Sequence, residues 1–267
     1  MKSFFRVAVL LTAFGAAPRP ALAAEPSVMS WTVNGEAREA LVFAPSSRAA
    51  GKAPVVHAFH GHGGNMRGAS TWMRFQDSWP EAIVVYPQGL ATKTKIDPRG
   101  VRPGWQREPG QNGDRDLKLV DTILATLRQK FAVDESRIYA AGFSNGGFFS
   151  YLLWARRGAE FAAFGVCAGL VVPDLPPAEP RPVIHIGGES DPIVHFSDQE
   201  ETIRTILRWN GCSTPGEPCG ERCTRYASSR RAPVVVVVHP GGHVFPRWAG
   251  VRIAKFFQSH PLTGARN

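Results

Sequence analysis

Six short runs of β-branched and aliphatic residues, at 55–59, 83–86, 137–141, 161–166, 183–186 and 234–238, are separated by longer stretches of helical period. A strand that is apolar on both faces must be covered on both, and parallel strands joined by crossover helices supply two covers. The sequence therefore predicts an α/β chain with a mostly parallel central sheet and helices on both faces. Residues 30–44 add an antiparallel start, because Trp31-Thr32-Val33 and Ala40-Leu41-Val42-Phe43 flank Asn34-Gly35, a dipeptide that tolerates the positive φ of a tight hairpin. Leu117, Val120, Ile123, Leu124 and Leu127 fall on one face of a helix, with Asp114 or Asp116 at its start. Further helices are expected from Gly146 onward and over 203–209 and 251–257.

Ahead of this pattern, Lys2 and Arg6 precede an apolar stretch over 7–17 that leads to Ala21-Leu22-Ala23, the spacing of a signal-peptidase site. Residues 1–23 are read as a signal peptide. A membrane anchor needs roughly 18 uninterrupted apolar residues, and Arg19-Pro20 break the run first. Residues 24–267 then fit a single domain, secreted or periplasmic, with no membrane contact once the leader is gone. Lys2, Arg6 and Arg19 account for a third of the net charge of +9, and the remaining cations are scattered. That scatter argues against a nucleic-acid partner.

An oxidising compartment permits disulfides. Cys212, Cys219 and Cys223 share a Gly-, Pro- and Ser-rich segment that one bridge would staple, with the pairing open. Cys167 lies in an apolar run, where a small buried side chain is expected. A zinc knuckle built on these cysteines would lack the CxxC spacing.

Gly142-Phe143-Ser144-Asn145-Gly146 carries the chemistry. This G-x-S-x-G follows an expected strand and opens an expected helix, a turn tight enough to push Ser144 clear of the sheet and onto a helix N-terminus. A serine needs a histidine base and a carboxylate to orient it. Asp191, in Gly187-Gly188-Glu189-Ser190-Asp191-Pro192, and His243, in Pro240-Gly241-Gly242-His243, each follow a strand, so both reach the edge where Ser144 stands. Asp198 is better placed to cap the next helix, Asp174 sits among prolines, and His239 abuts a strand end. Phe59-His60-Gly61-His62-Gly63-Gly64-Asn65 has the form of an oxyanion loop, which assigns the two backbone donors to His62 and Asn145. His57, His60 and His62 also permit a metal reading, but the aspartate of an H-x-H-x-D-H motif is replaced by Gly64. No cofactor is required by the serine reading. A serine peptidase or a non-catalytic module on the same fold are the other classes.

Five segments together resemble the bacterial polyhydroxybutyrate depolymerase and feruloyl esterase family: Gly61-His62-Gly63-Gly64-Asn65, Tyr86-Pro87-Gln88-Gly89, Val133-Asp134-Glu135-Ser136-Arg137-Ile138-Tyr139, Gly142-Phe143-Ser144-Asn145-Gly146-Gly147, and Gly241-Gly242-His243-Val244-Phe245-Pro246. The resemblance covers about residues 53–257 and implies an α/β-hydrolase fold with Ser144, Asp191 and His243 as its triad. It implies ester substrates: feruloyl or acetyl esters, including those on plant polysaccharide, or short hydroxyalkanoate oligomers. The chain departs from the family pattern at His62, Arg115-Asp116 and Phe245, on the expected substrate side. Trp105 and Phe245 are the aromatic residues assigned to substrate contact.

Overall fold

The computed structural model describes residues 26–45 and 51–262; the signal-peptide assignment at 1–23 lies outside them. The first elements of the described residues are the hairpin strands β1 (Ser27–Val33) and β2 (Glu36–Phe43). Its turn residues Asn34 and Gly35 both take positive φ, 53° and 79°, as a two-residue hairpin of this twist demands. Then follow β3 (Ala53–Phe59), helices α1 (Met66–Met73) and α2 (Phe75–Ser78), β4 (Ile83–Pro87), and a two-stranded ribbon of β5 (Leu90–Ala91) and β6 (Pro103–Gly104). The second half alternates α3 (Arg115–Lys130), β7 (Val133–Phe143), α4 (Asn145–Arg157), β8 (Ala163–Cys167), β9 (Val183–Gly188) and α5 (Phe196–Trp209). It ends with β10 (Glu217–Pro218), β11 (Cys223–Tyr226), β12 (Val234–His239) and α6 (Ala249–Gln258).

Among the described residues ten strands form the main sheet, in the order β1-β2-β4-β3-β7-β8-β9-β12-β11-β10. The run from β4 to β12 is parallel. The antiparallel start is present, and a second antiparallel edge, β11 and β10, closes the other end, which the sequence did not signal. Cys219 and Cys223 pair across that edge hairpin and leave Cys212 free, so the bridge staples the smallest available loop.

Side chains alternate between two cores with the period of a strand. In β3, Val55 and Phe59 enter the core under α3, α4 and α5, while Val56 and Ala58 enter the one under α1, α2 and α6. The five apolar residues expected on one face of α3 are all buried in the first core. Neither aspartate caps that helix in the ordinary way. Asp114 takes φ 58° and makes no cap bond, and its Oδ1 accepts hydrogen bonds from Gln106 Nε2 and the Gly110 N–H instead.

The topology fixes where a site can form. From β3 the chain moves to β4 on one side and, after α3, returns to β7 on the other. Such a switch in strand order opens a crevice at the carboxyl ends of the strands. The loops carrying His62, Ser144, Asp191 and His243 follow β3, β7, β9 and β12 into that crevice.

Candidate active site

Ser144 links β7 directly to α4 with φ 53° and ψ −122°, a conformation that non-glycine residues adopt only when the surroundings impose it. Two glycines impose it here by close approach. A Cβ on Gly142 would run into the Gly146 carbonyl, and one on Gly146 into the carbonyl of Phe59. The Ser144 N–H donates to the Cys167 carbonyl at 2.9 Å, which ties the elbow to the end of β8.

His243 Nε2 lies 2.8 Å from Ser144 Oγ, and His243 Nδ1 lies 2.8 Å from Asp191 Oδ2. The second carboxylate oxygen of Asp191 accepts the backbone N–H groups of Ile193 and Val194, each at 2.9 Å. A buried carboxylate fully occupied in this way stays fixed, and it selects the imidazole tautomer whose Nε2 can take a proton from the serine. The two loops also bond each other, because β9 and β12 are parallel neighbours. Glu189 N–H donates to the His239 carbonyl at 2.8 Å and Ser190 N–H to the Gly241 carbonyl at 3.2 Å. His239, the neighbouring imidazole, accepts the Gly241 N–H and so shapes this loop. Asp198 and Asp174 stand apart from the constellation, the first in the opening turn of α5.

Among the described residues the backbone N–H groups of His62 and Asn145 donate no hydrogen bond. The Asn145 N–H is the first of α4, where the helix dipole favours negative charge. The side chain of Asn145 is occupied elsewhere. Its Oδ1 accepts the Trp105 N–H at 2.7 Å and its Nδ2 donates to the Trp105 carbonyl at 3.0 Å, clamping the segment that follows β6. Beneath the loop of residues 60–65, His60 Nδ1 meets the Gly61 carbonyl at 2.8 Å while Nε2 accepts the Gly89 N–H at 3.0 Å. Burial pushes this imidazole down to about 4, so it is neutral and braces the loop.

A cavity of about 240 Å³ opens beside Ser144, walled by His62, Asn145, Phe148, Leu170, Val194 and Arg107. His62 Nε2 bonds Asp97 Oδ2 at 3.1 Å. The Arg102 N–H, and that of Gly100, hold the Asp97 carboxyl below the usual carboxylate range. Asp97 and Arg107 had no local sequence signal. They lie in a Gly-rich, charged stretch whose fold depends on distant partners.

One of the two aromatic assignments needs correction. Trp105 is fully buried, stacked on Phe149 and donating Nε1–H to the His60 carbonyl, so it is a core residue beneath the site. Phe245 is partly exposed and packs on Trp72 and Phe143, whose ring lies 4.9 Å from that of His243. The three imidazoles of the metal reading diverge: His57 is sealed inside the sheet, His60 braces its loop, and His62 bonds Asp97.

Comparison with known proteins places this geometry among relatives. Over residues 32–208 the chain matches the model of the Esterase family. It is 27% identical over 195 residues to "Feruloyl esterase C" of Emericella nidulans, covering 71% of this chain and 69% of that one. It is 28% identical over 174 residues to the bifunctional acetylxylan esterase/xylanase XynS20E of Neocallimastix patriciarum, covering 64% of this chain and 24% of that one. The chain spans less than two thirds of some curated relatives, 56% of an Aspergillus terreus protein among them. Among solved structures, the acetyl xylan esterase from Aspergillus awamori superimposes with a TM-score of 0.62 at 14% identity, over 87% of this chain and 99% of that one, a likeness of α/β-hydrolase fold. With a family match over more than half its length, the chain belongs to the Esterase family.

Proposed function

We propose that this protein hydrolyses carboxylic esters by two-step acyl transfer, with Ser144 as nucleophile, His243 as base and Asp191 as its orienting acid. The observation that carries this reading is the unbroken Ser144–His243–Asp191 relay, both contacts at 2.8 Å, beside two free backbone donors. Ser144 Oγ attacks the ester carbonyl as its proton passes to His243 Nε2, and the carbonyl π electrons become an oxyanion. The N–H groups of His62 and Asn145 take up that charge. Collapse expels the alcohol, protonated by His243, and leaves an acyl-serine. A water then gives its proton to His243 and attacks the acyl carbon, releasing the acid and restoring Ser144.

Feruloyl, acetyl or short hydroxyalkanoate esters are the proposed substrates. The family match, the relatives' names and the modest cavity beside Ser144 support that range. Export is proposed from the leader pattern of residues 1–23 alone. The decisive experiment measures hydrolysis of p-nitrophenyl acetate, p-nitrophenyl butyrate and methyl ferulate by wild type and Ser144→Ala, with and without a chelator. Loss of a nucleophilic serine should lower kcat by roughly 10⁴ to 10⁶ with the chelator without effect. Undiminished turnover by a folded Ser144→Ala protein would sink the proposal.

A further inference from the structure

The lining of the cavity beside Ser144 also holds a cation that the acyl-transfer chemistry does not use. Arg107 is half-buried, and its guanidinium carbon sits 4.0 Å above the centre of the Phe148 ring. Phe148 is four residues beyond Ser144, about 6 Å along the axis of α4, with its N–H bonded to the Ser144 carbonyl. The Arg107 side chain makes no hydrogen bond and no ion pair among the described residues. Among the described residues Arg38, Arg115 and Arg181 each have a carboxylate partner, Asp116, Glu36 and Glu179, whereas the half-buried Arg252, like Arg107, rests on a ring, that of Trp248, at the longer distance of 5.9 Å. Burial works against the charge of Arg107, and only Glu108 acts through space to support it. Lys95, exposed at the mouth of the same cavity, is likewise unpaired. One carboxylate, Asp198, belongs to the lining, and it forms an ion pair with neither cation.

A half-buried guanidinium over an aromatic ring has lost hydration without gaining an acceptor, and its planar fork of donors matches a planar oxyanion. We propose that Arg107, with Lys95 at the mouth, is an anion-binding subsite of the acyl-transfer cavity, selecting carboxylic esters that carry a second, ionised carboxylate several bonds from the scissile carbonyl. This rests on the acyl-transfer reading of Ser144. The second carboxylate is a spectator: the ester and one water still give one acid and one alcohol. It stands on the acyl side in a half-ester of a dicarboxylic acid, or on the alcohol side in an acylated hydroxy acid.

Two matched pairs test it: methyl hydrogen adipate against dimethyl adipate for the acyl side, and 4-acetoxybenzoate against methyl 4-acetoxybenzoate for the alcohol side. Each is measured with wild type, Arg107→Met and Arg107→Lys, beside p-nitrophenyl butyrate. In at least one pair wild type should favour the charged ester, and the responding pair names the side. Arg107→Met should lower the charged-to-neutral ratio of kcat/KM by roughly tenfold or more, through KM, and Arg107→Lys should keep part of it. The preference should shrink at about 0.5 M NaCl. Turnover without charge preference, or a ratio unmoved by Arg107→Met, overturns the subsite and leaves the acyl-transfer reading standing. No turnover of any ester, p-nitrophenyl butyrate included, overturns both.

Discussion

Two regions meet at Ser144 and are built by opposite means. The relay side is a set of short strand-end loops on β7, β9 and β12, whose positions follow from parallel neighbours in one sheet. The recognition side, from Gln88 to Arg107, has only the ribbon of β5 and β6 for regular structure. Side chains from far along the chain hold it instead: Arg38 on the Gln88 carbonyl, Asn145 on Trp105, His62 on Asp97. Backbone topology sets the proposed relay, and long-range side-chain bonds set the proposed recognition wall. The regions should therefore fail differently.

The largest effect is expected on the relay side. Asp191→Asn keeps the shape of the carboxylate but lets the His243 ring adopt the wrong tautomer, and kcat should fall by about 10⁴. Because the fold is unaltered, the thermal unfolding midpoint should barely move. A drop of less than tenfold in steady-state assays would remove Asp191 from the mechanism.

On the recognition side the loss should appear as stability. Arg38 and Asp116 are both fully buried 2.8 Å apart, and Asp116 also accepts the Gln106 N–H at 2.9 Å. Arg38→Met strands that carboxylate in a sealed site, at a cost of about 3 to 5 kcal/mol by urea denaturation. Arg38→Met with Asp116→Leu should recover part of the loss. If the double variant is no better than the single one, the pair does not act as a unit.

Between the regions lies Gly146, whose missing Cβ lets α4 start against the Phe59 carbonyl. Gly146→Ala forces the elbow away from β3 and should destabilise the protein by about 3 kcal/mol, shifting the denaturant midpoint and the Ser144 geometry together. A variant of wild-type stability and activity would show that the elbow has room to relax.

The same contrast explains what could be read from the sequence. The strand–Ser144–helix unit is local: glycines, apolar run and helix start are contiguous, and Asp191 and His243 follow strands that announce themselves by composition. The recognition side gave no such pattern, because its anchors are 50, 40 and 35 residues apart in sequence. Trp105 shows the cost. An aromatic residue near a site satisfies a core position or a pocket position equally well in sequence, and only its bonds to His60 and Asn145 place it in the core. Strands β10 and β11 were missed because they are short, polar and interrupted by Pro218 and Gly220.

Acid should separate the regions by a smaller margin. Burial pushes His57 down to about 3 and His60 and His185 down to about 4, against roughly 6.5 in an unfolded chain. Above about pH 6.5 the folded and unfolded forms are both neutral at these rings, and no stability depends on them. Between about pH 6.5 and 4 the unfolded chain takes up protons that the folded one refuses, so stability falls with pH, by up to about 1.4 kcal/mol per unit for each ring. His57→Leu should shallow that slope in urea titrations whatever it does at neutral pH. His60 differs from the two sheet histidines in what its protonation breaks. Its Nε2 accepts the Gly89 N–H at 3.0 Å, and a proton there sets two donors against each other at the root of the recognition segment. Amide exchange at Gly89, corrected for its intrinsic rate, should lose protection toward about pH 4 while Ser144 N–H, bonded to Cys167, keeps it. Equal loss at both amides would mean that the two regions open as one.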